Sequence, residues 1–296
     1  MTYPHLVKEI GLLVDLPMKE RIDEICKDRW IGYTKAKEVW DQMEFLFNHP
    51  KISRMPNMLL VASTNNGKSR ILERFAKKHE ASDNFGGESV SVPVVLIQMP
   101  RTPNEERLYF EILNRINAKY SATSGKDKLG ANVADKLQKL GTKMLIIDEF
   151  HNLLQAPPLK QREFLVVIKS MCNDLKISMV CAGTEEAVLA MQTDSQLANR
   201  FPPIMLPRWR IGPDFRKFLA SYEKVLPLRH PSRLSGETLS HQIWSMAEGT
   251  IGETINLLKS AAIFAVKQGT ELIDSSGLDN CGYVSPTDRK NILREA

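Results

Sequence analysis

Residues Leu59–Arg70 read LLVASTNNGKSR. An apolar run stops at Ala62, four polar residues follow, and then come Gly67, Lys68 and Ser69. That order suits a loop wrapped around an anion, which needs inward-turned backbone N–H groups, a helix N-terminus aimed at the charge and a cation beside it. Gly67 lets the backbone approach closely, Lys68 reaches the outer phosphates of a nucleotide, and Ser69 offers its hydroxyl to magnesium. Such loops ordinarily open on glycine, and here Ala62 stands in that place. Alanine serves there if its backbone stays in the ordinary region of φ and ψ.

The flanks supply the context that this motif requires. NMLLVAS before it has the composition of a buried strand, and KSRILERFAKKHE after it alternates apolar and basic residues with helical period. A glycine-rich loop, SDNFGGES, leads to a second apolar strand, SVPVVLIQMP. Helical patterns are predicted over 104–120 and 131–140. About 80 residues beyond Lys68, KMLIIDEFHNLL gives a third buried strand ending in Asp148 and Glu149. An aspartate there holds a metal through water, and the neighbouring glutamate polarises an attacking water. An ordinary strand with a solvated acidic turn is the competing reading of LIIDE taken alone. His151 and Asn152, directly after the pair, read as residues that order this turn rather than as catalytic groups.

ISMVCAGT is a fourth strand, followed by the helix EEAVLAM. Thr184 either reads a terminal phosphate between the two motifs or caps that helix, and the two roles are compatible. In QLANRFPPIMLPRW, Arg200 ends a helix before a proline-broken strand. It is the candidate to be lent to a neighbouring subunit's nucleotide. Arg208 and Arg210 compete with it, and surface ion pairing is the plain alternative for all three.

Buried strands separated by helices imply an α/β fold with a parallel sheet covered on both faces. Beyond Gly212 the strand-like runs cease, and PDFRKFLASYEKVL, SGETLSHQIWSMA and GETINLLKSAAIFAVKQ predict a small helical domain. The expected division is an N-terminal helical segment over 1–50, an α/β core over 51–211, a helical lid over 212–268 and a polar tail over 269–296. The tail is expected to be poorly ordered on its own.

Composition narrows the class. The chain has 296 residues, 43% of them hydrophobic and 25% charged, with a net charge of +5. That charge permits a nucleic-acid partner without arguing for one. No apolar run reaches the roughly 20 residues of a membrane span. The start of the chain does not read as a secretory leader. The four cysteines have no metal-ligand spacing, which fits reduced thiols in a cytoplasmic protein.

RWIGYTKA, RMPNMLLVASTNNGKSR, LIIDEFHNLL and ANRF together resemble the AAA+ ATPases of bacterial DNA transposition, the TniB and TnsC group, with TniB the closer match. The resemblance implies a P-loop AAA+ sheet flanked by helices with a small C-terminal helical lid. It implies an ATPase that uses ATP and Mg2+ and assembles head to tail as a ring or filament on double-stranded DNA. In that state it would recruit and activate a DDE transposase of the TniA or TnsB kind, with target choice set by a TniQ-like protein. By position, Lys68 and Ser69 would be the Walker A lysine and magnesium ligand, within a nucleotide-binding run of Thr64, Asn65, Asn66, Gly67, Lys68, Ser69 and Arg70. Asp148 and Glu149 would be the Walker B pair, Thr184 the first sensor and Arg200 the intersubunit finger. Trp30, Ile31, Gly32 and Tyr33 would lie near the adenine. DNA contacts would come from Arg101, Arg107, Arg115 and Lys119, which a solvated helix face explains as well. AEGTIGETINLL carries no second sensor arginine, which implies a slow, switch-like ATPase. A STAND-type or helicase-loader NTPase, and a non-hydrolysing nucleotide-gated adaptor, share the same motifs.

Overall fold

The structure, a computed structural model, describes residues 3–83, 90–121 and 123–295. Most of the expected SDNFGGES loop, residues 84–89, lies outside the described residues. The first elements are α1 (Lys8–Gly11), α2 (Met18–Cys26), α3 (Thr34–Phe47), β1 (Met58–Ala62), α4 (Lys68–Lys78), β2 (Val94–Gln98), α5 (Glu105–Arg115) and α6 (Lys126–Lys139). Then come β3 (Met144–Asp148), a 3-10 turn (Phe150–Gln155), α7 (Pro158–Asp174), β4 (Ser178–Gly183), α8 (Glu186–Gln192), α9 (Ser195–Ala198) and β5 (Pro203–Leu206). The chain ends in α10 (Pro213–Glu223), α11 (Glu237–Met246), α12 (Ile251–Gln268), α13 (Ser275–Asn280) and α14 (Pro286–Glu295).

These elements form two compact units, Lys35–Pro207 and Met1–Thr34 with Arg208–Ala296. The division does not follow the first 50 residues as one segment. α3 beyond Thr34 belongs with the α/β unit, because Ala36, Val39, Met43 and Leu46 recur at three- and four-residue steps and are all buried.

The α/β unit is a five-stranded sheet in the order β2-β3-β4-β1-β5, with every pairing parallel. β1, β3 and β4 are buried at every residue, which is why their sequences show no polar alternation. Each fully buried Leu, Ile or Val there contributes about 1.5–3 kcal/mol of transfer free energy. On the covering helices, Leu108, Ile112 and Leu113 of α5 and Phe164, Leu165 and Ile168 of α7 supply apolar stripes.

Two helix limits differ from the sequence pattern. α5 stops at Arg115, because Asn117 turns to a φ of 53° and the chain folds back to stack Tyr120 on Phe110, with ring centroids 5.0 Å apart. α6 begins at Lys126, with Leu129 buried in the first turn of a helix that the apolar spacing alone starts at 131.

In the helical unit, Ile25 of α2 joins Phe215, Phe218 and Leu219 of α10 and Leu257, Leu258 and Ala261 of α12 in one core. A buried ion pair reinforces it: Arg21 donates to both carboxylate oxygens of Glu271, at 2.5 and 3.1 Å, and to the Val14 carbonyl at 2.9 Å. The tail is more organised than its polarity suggests. Ile273 and Leu278 are each 1% exposed, and the Asp274 carboxylate caps α13 by accepting the Gly277 N–H at 2.7 Å. Among the described residues no helix is long and apolar enough to cross a membrane.

Candidate nucleotide site

β1 delivers the chain to the phosphate loop and α4 takes it away. Ala62 ends β1, 2% exposed and in register with Leu206 of β5. Positive φ in this loop falls on Asn65 (58°) and Gly67 (85°), not on Ala62. The conformational demand therefore sits where asparagine and glycine meet it cheaply, and alanine at the loop entrance carries no backbone penalty. Asn66 is 2% exposed, and its amide donates to the Leu206 and Pro207 carbonyls at 2.8 and 3.0 Å. The TNN segment thus bends through Asn65 and is anchored to the end of β5 by Asn66, while Thr64 and Arg70 are exposed.

β3 brings the acidic pair to the same, C-terminal end of the strands. The Lys68 ammonium lies 3.1 Å from Asp148 Oδ1 and 3.1 Å from Glu149 Oε1. Ser69 Oγ donates to Asp148 Oδ2 at 2.5 Å. Asp148 also accepts the Glu149 N–H at 2.7 Å. Lys68 and Asp148 are 7% and 4% exposed, so this is a buried pair whose desolvation is offset by hydrogen bonds on both carboxylate oxygens. Glu149 is more open, and its backbone takes the left-handed conformation, φ 56° and ψ 35°.

β4 lies between β3 and β1 and carries Thr184 just beyond its end. The Thr184 hydroxyl is buried without a hydrogen-bond partner. It does not cap α8: Glu185 holds the cap position, and no side chain makes the capping bond. Ser63, which no motif marks, likewise buries an unpartnered hydroxyl directly after β1. The only sequence signal for it is its place as the first polar residue after the strand. Two orphaned hydroxyls beside an anion-shaped loop fit a ligand rich in acceptor oxygens. The Ser69 and Asp148 oxygens likewise fit Mg2+, which takes few protein ligands and fills its shell from phosphates and water.

Arg200 lies at the opposite end of the strands. It precedes β5, level with the start of β1, where Leu59 donates to the Pro202 carbonyl at 3.1 Å. Its guanidinium donates to Asn173 Oδ1 at 2.7 Å, near the end of α7, and its Nε is buried without a partner. The length of β1 puts about 15 Å of strand between Arg200 and its own phosphate loop. Arg208 and Arg210 are exposed and belong to the helical unit.

Trp30, Ile31, Gly32 and Tyr33 also belong to the helical unit. There the Tyr33 ring packs on Trp209 at 4.9 Å, and burial pushes its hydroxyl pKa far up. In the same unit Glu253 accepts from Tyr283 at 2.7 Å and from Arg289, while Lys259 donates to the Cys26 carbonyl at 2.7 Å. Both of these charges, in and just after the AEGTIGETINLL stretch, are thus engaged. Arg101, Arg107, Arg115 and Lys119 are all exposed; Arg107 and Arg115 lie on α5, while Arg101 precedes the helix and Lys119 follows it. Glu111 shares the four-residue stripe with Arg107 and Arg115, so this face is mixed in charge.

The family model described as Bacterial TniB protein matches residues 21–211. Among solved structures, the Aeropyrum pernix ORC2 protein in its ADPNP–ADP complexes superposes with a TM-score of 0.64 at 13% identity, covering 87% of this chain and 70% of that one. The Aeropyrum pernix ORC1 protein in complex with DNA gives 0.60 at 14% identity, covering 93% and 70%. Cdc6p from Pyrobaculum aerophilum gives 0.58 at 14%, covering 85% and 68%. At such identities the likeness speaks for the fold alone, a parallel five-stranded sheet with flanking helices. No curated protein matches the chain.

Proposed function

This chain belongs to the bacterial TniB family, and from that premise we propose that it is an ATP-binding and ATP-hydrolysing regulator of DNA transposition. The observation that carries the reading is the meeting of Lys68 and Ser69 with Asp148 and Glu149 at the C-terminal end of the strands. Two motifs about 80 residues apart converge on one charge-complementary cluster beside a loop bent for an anion.

In this reading Lys68 leaves the carboxylates for the outer phosphates of ATP, and the N–H groups around Gly67 line the same anion. Ser69 and Asp148 would hold Mg2+, which supplies charge neutralisation on the phosphates when bound. Glu149, released from Lys68, polarises the attacking water. Thr184 offers its unpartnered hydroxyl to the terminal phosphate. Arg200 cannot serve its own loop from the far end of the strands, which supports its use by a neighbouring subunit in a head-to-tail ring or filament. Double-stranded DNA as the template, a DDE transposase and a TniQ-like protein as partners, and slow, switch-like turnover complete the proposal. They rest on the family. Exposed Arg101, Arg107, Arg115 and Lys119 are the proposed DNA contacts.

The test is electron microscopy of the chain with duplex DNA and ATP or a slowly hydrolysed analogue. Ordered rings or filaments that need both nucleotide and DNA are expected. Monomers under every condition sink the assembly claim.

A further inference from the structure

We infer that His151 is a positioning residue that ties the Glu149 carboxylate to the main chain at the end of β4, so that the water-polarising group and the phosphate-reading loop move as one. The inference rests on the ATPase reading above. His151 Nε2 lies 3.2 Å from Glu149 Oε2, and its Nδ1 lies 3.5 Å from the Thr184 backbone nitrogen. A backbone N–H only donates, so Nδ1 must accept. The proton of the neutral ring then sits on Nε2, facing Glu149. The main chain of β4 thereby dictates the tautomer that presents a donor to the carboxylate.

Two further features favour a built clamp over a passing contact. A side chain at Gly183 would place its Cβ 3.2 Å from His151 Nδ1, 3.2 Å from the His151 backbone nitrogen and 2.8 Å from Ala187 Cβ. The ring has its place because position 183 lacks a side chain. Glu149 also holds a left-handed backbone, a strained conformation for a non-glycine residue that persists only where its surroundings over-determine it. The Asp148 carboxylate fixes the Glu149 N–H at 2.7 Å, and Lys68 and His151 take one carboxylate oxygen each. When Lys68 departs, Oε1 is free to accept a proton while His151 still holds Oε2. The same geometry makes Thr184 report on Glu149: a shift of the Thr184 amide alters the ring that orients the carboxylate.

The full chain is compared as wild type, His151→Leu, which keeps bulk without a donor, and His151→Gln, which restores an amide donor near the Nε2 position. A fluorescent ATP analogue gives Kd, steady-state hydrolysis with duplex DNA gives kcat and KM, and nitrogen-15 spectra of the nucleotide-free protein give the ring tautomer. His151→Leu should lose about 10- to 100-fold in kcat, with Kd and KM held within about twofold, and His151→Gln should recover most of the loss. The His151 ring should be protonated on Nε2, and the Thr184 amide signal should shift in His151→Leu. Unchanged kcat in both variants, a common fall in binding and turnover that glutamine does not repair, or a ring protonated on Nδ1 each overturns the clamp. If the wild type hydrolyses no ATP, the functional reading fails. The tautomer and the Thr184 amide then decide the clamp by themselves.

Discussion

The ammonium of Lys68 stands 3.1 Å from the carboxylate of Glu149 and 3.1 Å from that of Asp148. A phosphate group must compete with both for the same cation. Lys68→Ala is expected to raise the Kd for ATP about 10- to 100-fold, the worth of a charge-assisted hydrogen bond. Glu149→Gln should leave binding intact and cut turnover about 100-fold or more. Tight binding by the first variant contradicts the loop assignment, and undiminished hydrolysis by the second contradicts the role of Glu149.

Asn66 gives a separate handle on the loop. Asn66→Ala strands the Leu206 and Pro207 carbonyls and should cost about 1–3 kcal/mol, read by denaturant unfolding. It should also weaken nucleotide binding, because the loop loses its tie to β5. A fully stable variant with wild-type affinity would show that the two bonds are incidental.

Arg200→Ala should bind ATP like the wild type and hydrolyse it about 10³-fold more slowly in the assembled state. Mixing it with Lys68→Ala should restore part of the activity, since one variant keeps the loop and the other keeps the arginine. Absence of any recovery in the mixture, with both proteins assembling, removes the intersubunit role.

The cysteines test packing independently of nucleotide. Burial pushes the Cys172 thiol up to about 12 and the Cys181 thiol well above its ordinary value. The thiolate is the reactive form, so both should resist alkylation near neutral pH, while exposed Cys26 reacts. Mass spectrometry after brief labelling of the native chain reads this directly. Fast modification of Cys172 would mean that the contact between α7 and β4 opens.

Much of the site was legible because its signals are local. The strand, the polar turn, Gly67-Lys68-Ser69 and the acidic pair on an apolar run are each a few residues long, and the structure brings them together. Ser63 and Asn66 were harder. An unpartnered hydroxyl is visible only once neighbouring strands have closed over it, and Asn66 acts on carbonyls 140 and 141 positions away in sequence. The grouping of residues 3–34 with the C-terminal helices was hidden for the same reason. Arg21 and Glu271 stand 250 positions apart, and nothing in either neighbourhood announces the other. The polar tail misled by composition: Ile273 and Leu278, with the Asp274 cap between them, are enough to seat α13.

Arg200 and the phosphate loop lie at opposite ends of the strands of one parallel sheet, and in the proposed assembly that separation would have a kinetic corollary. Any stack that joins one end to the other has unlike tips. One terminal subunit would show an unused arginine, and the other a loop that no arginine completes. A nucleotide at the second tip would age differently from those within, so growth and loss would not have to balance at the two tips. A partner that covers one tip would then set the lifetime of the whole array without touching its interior.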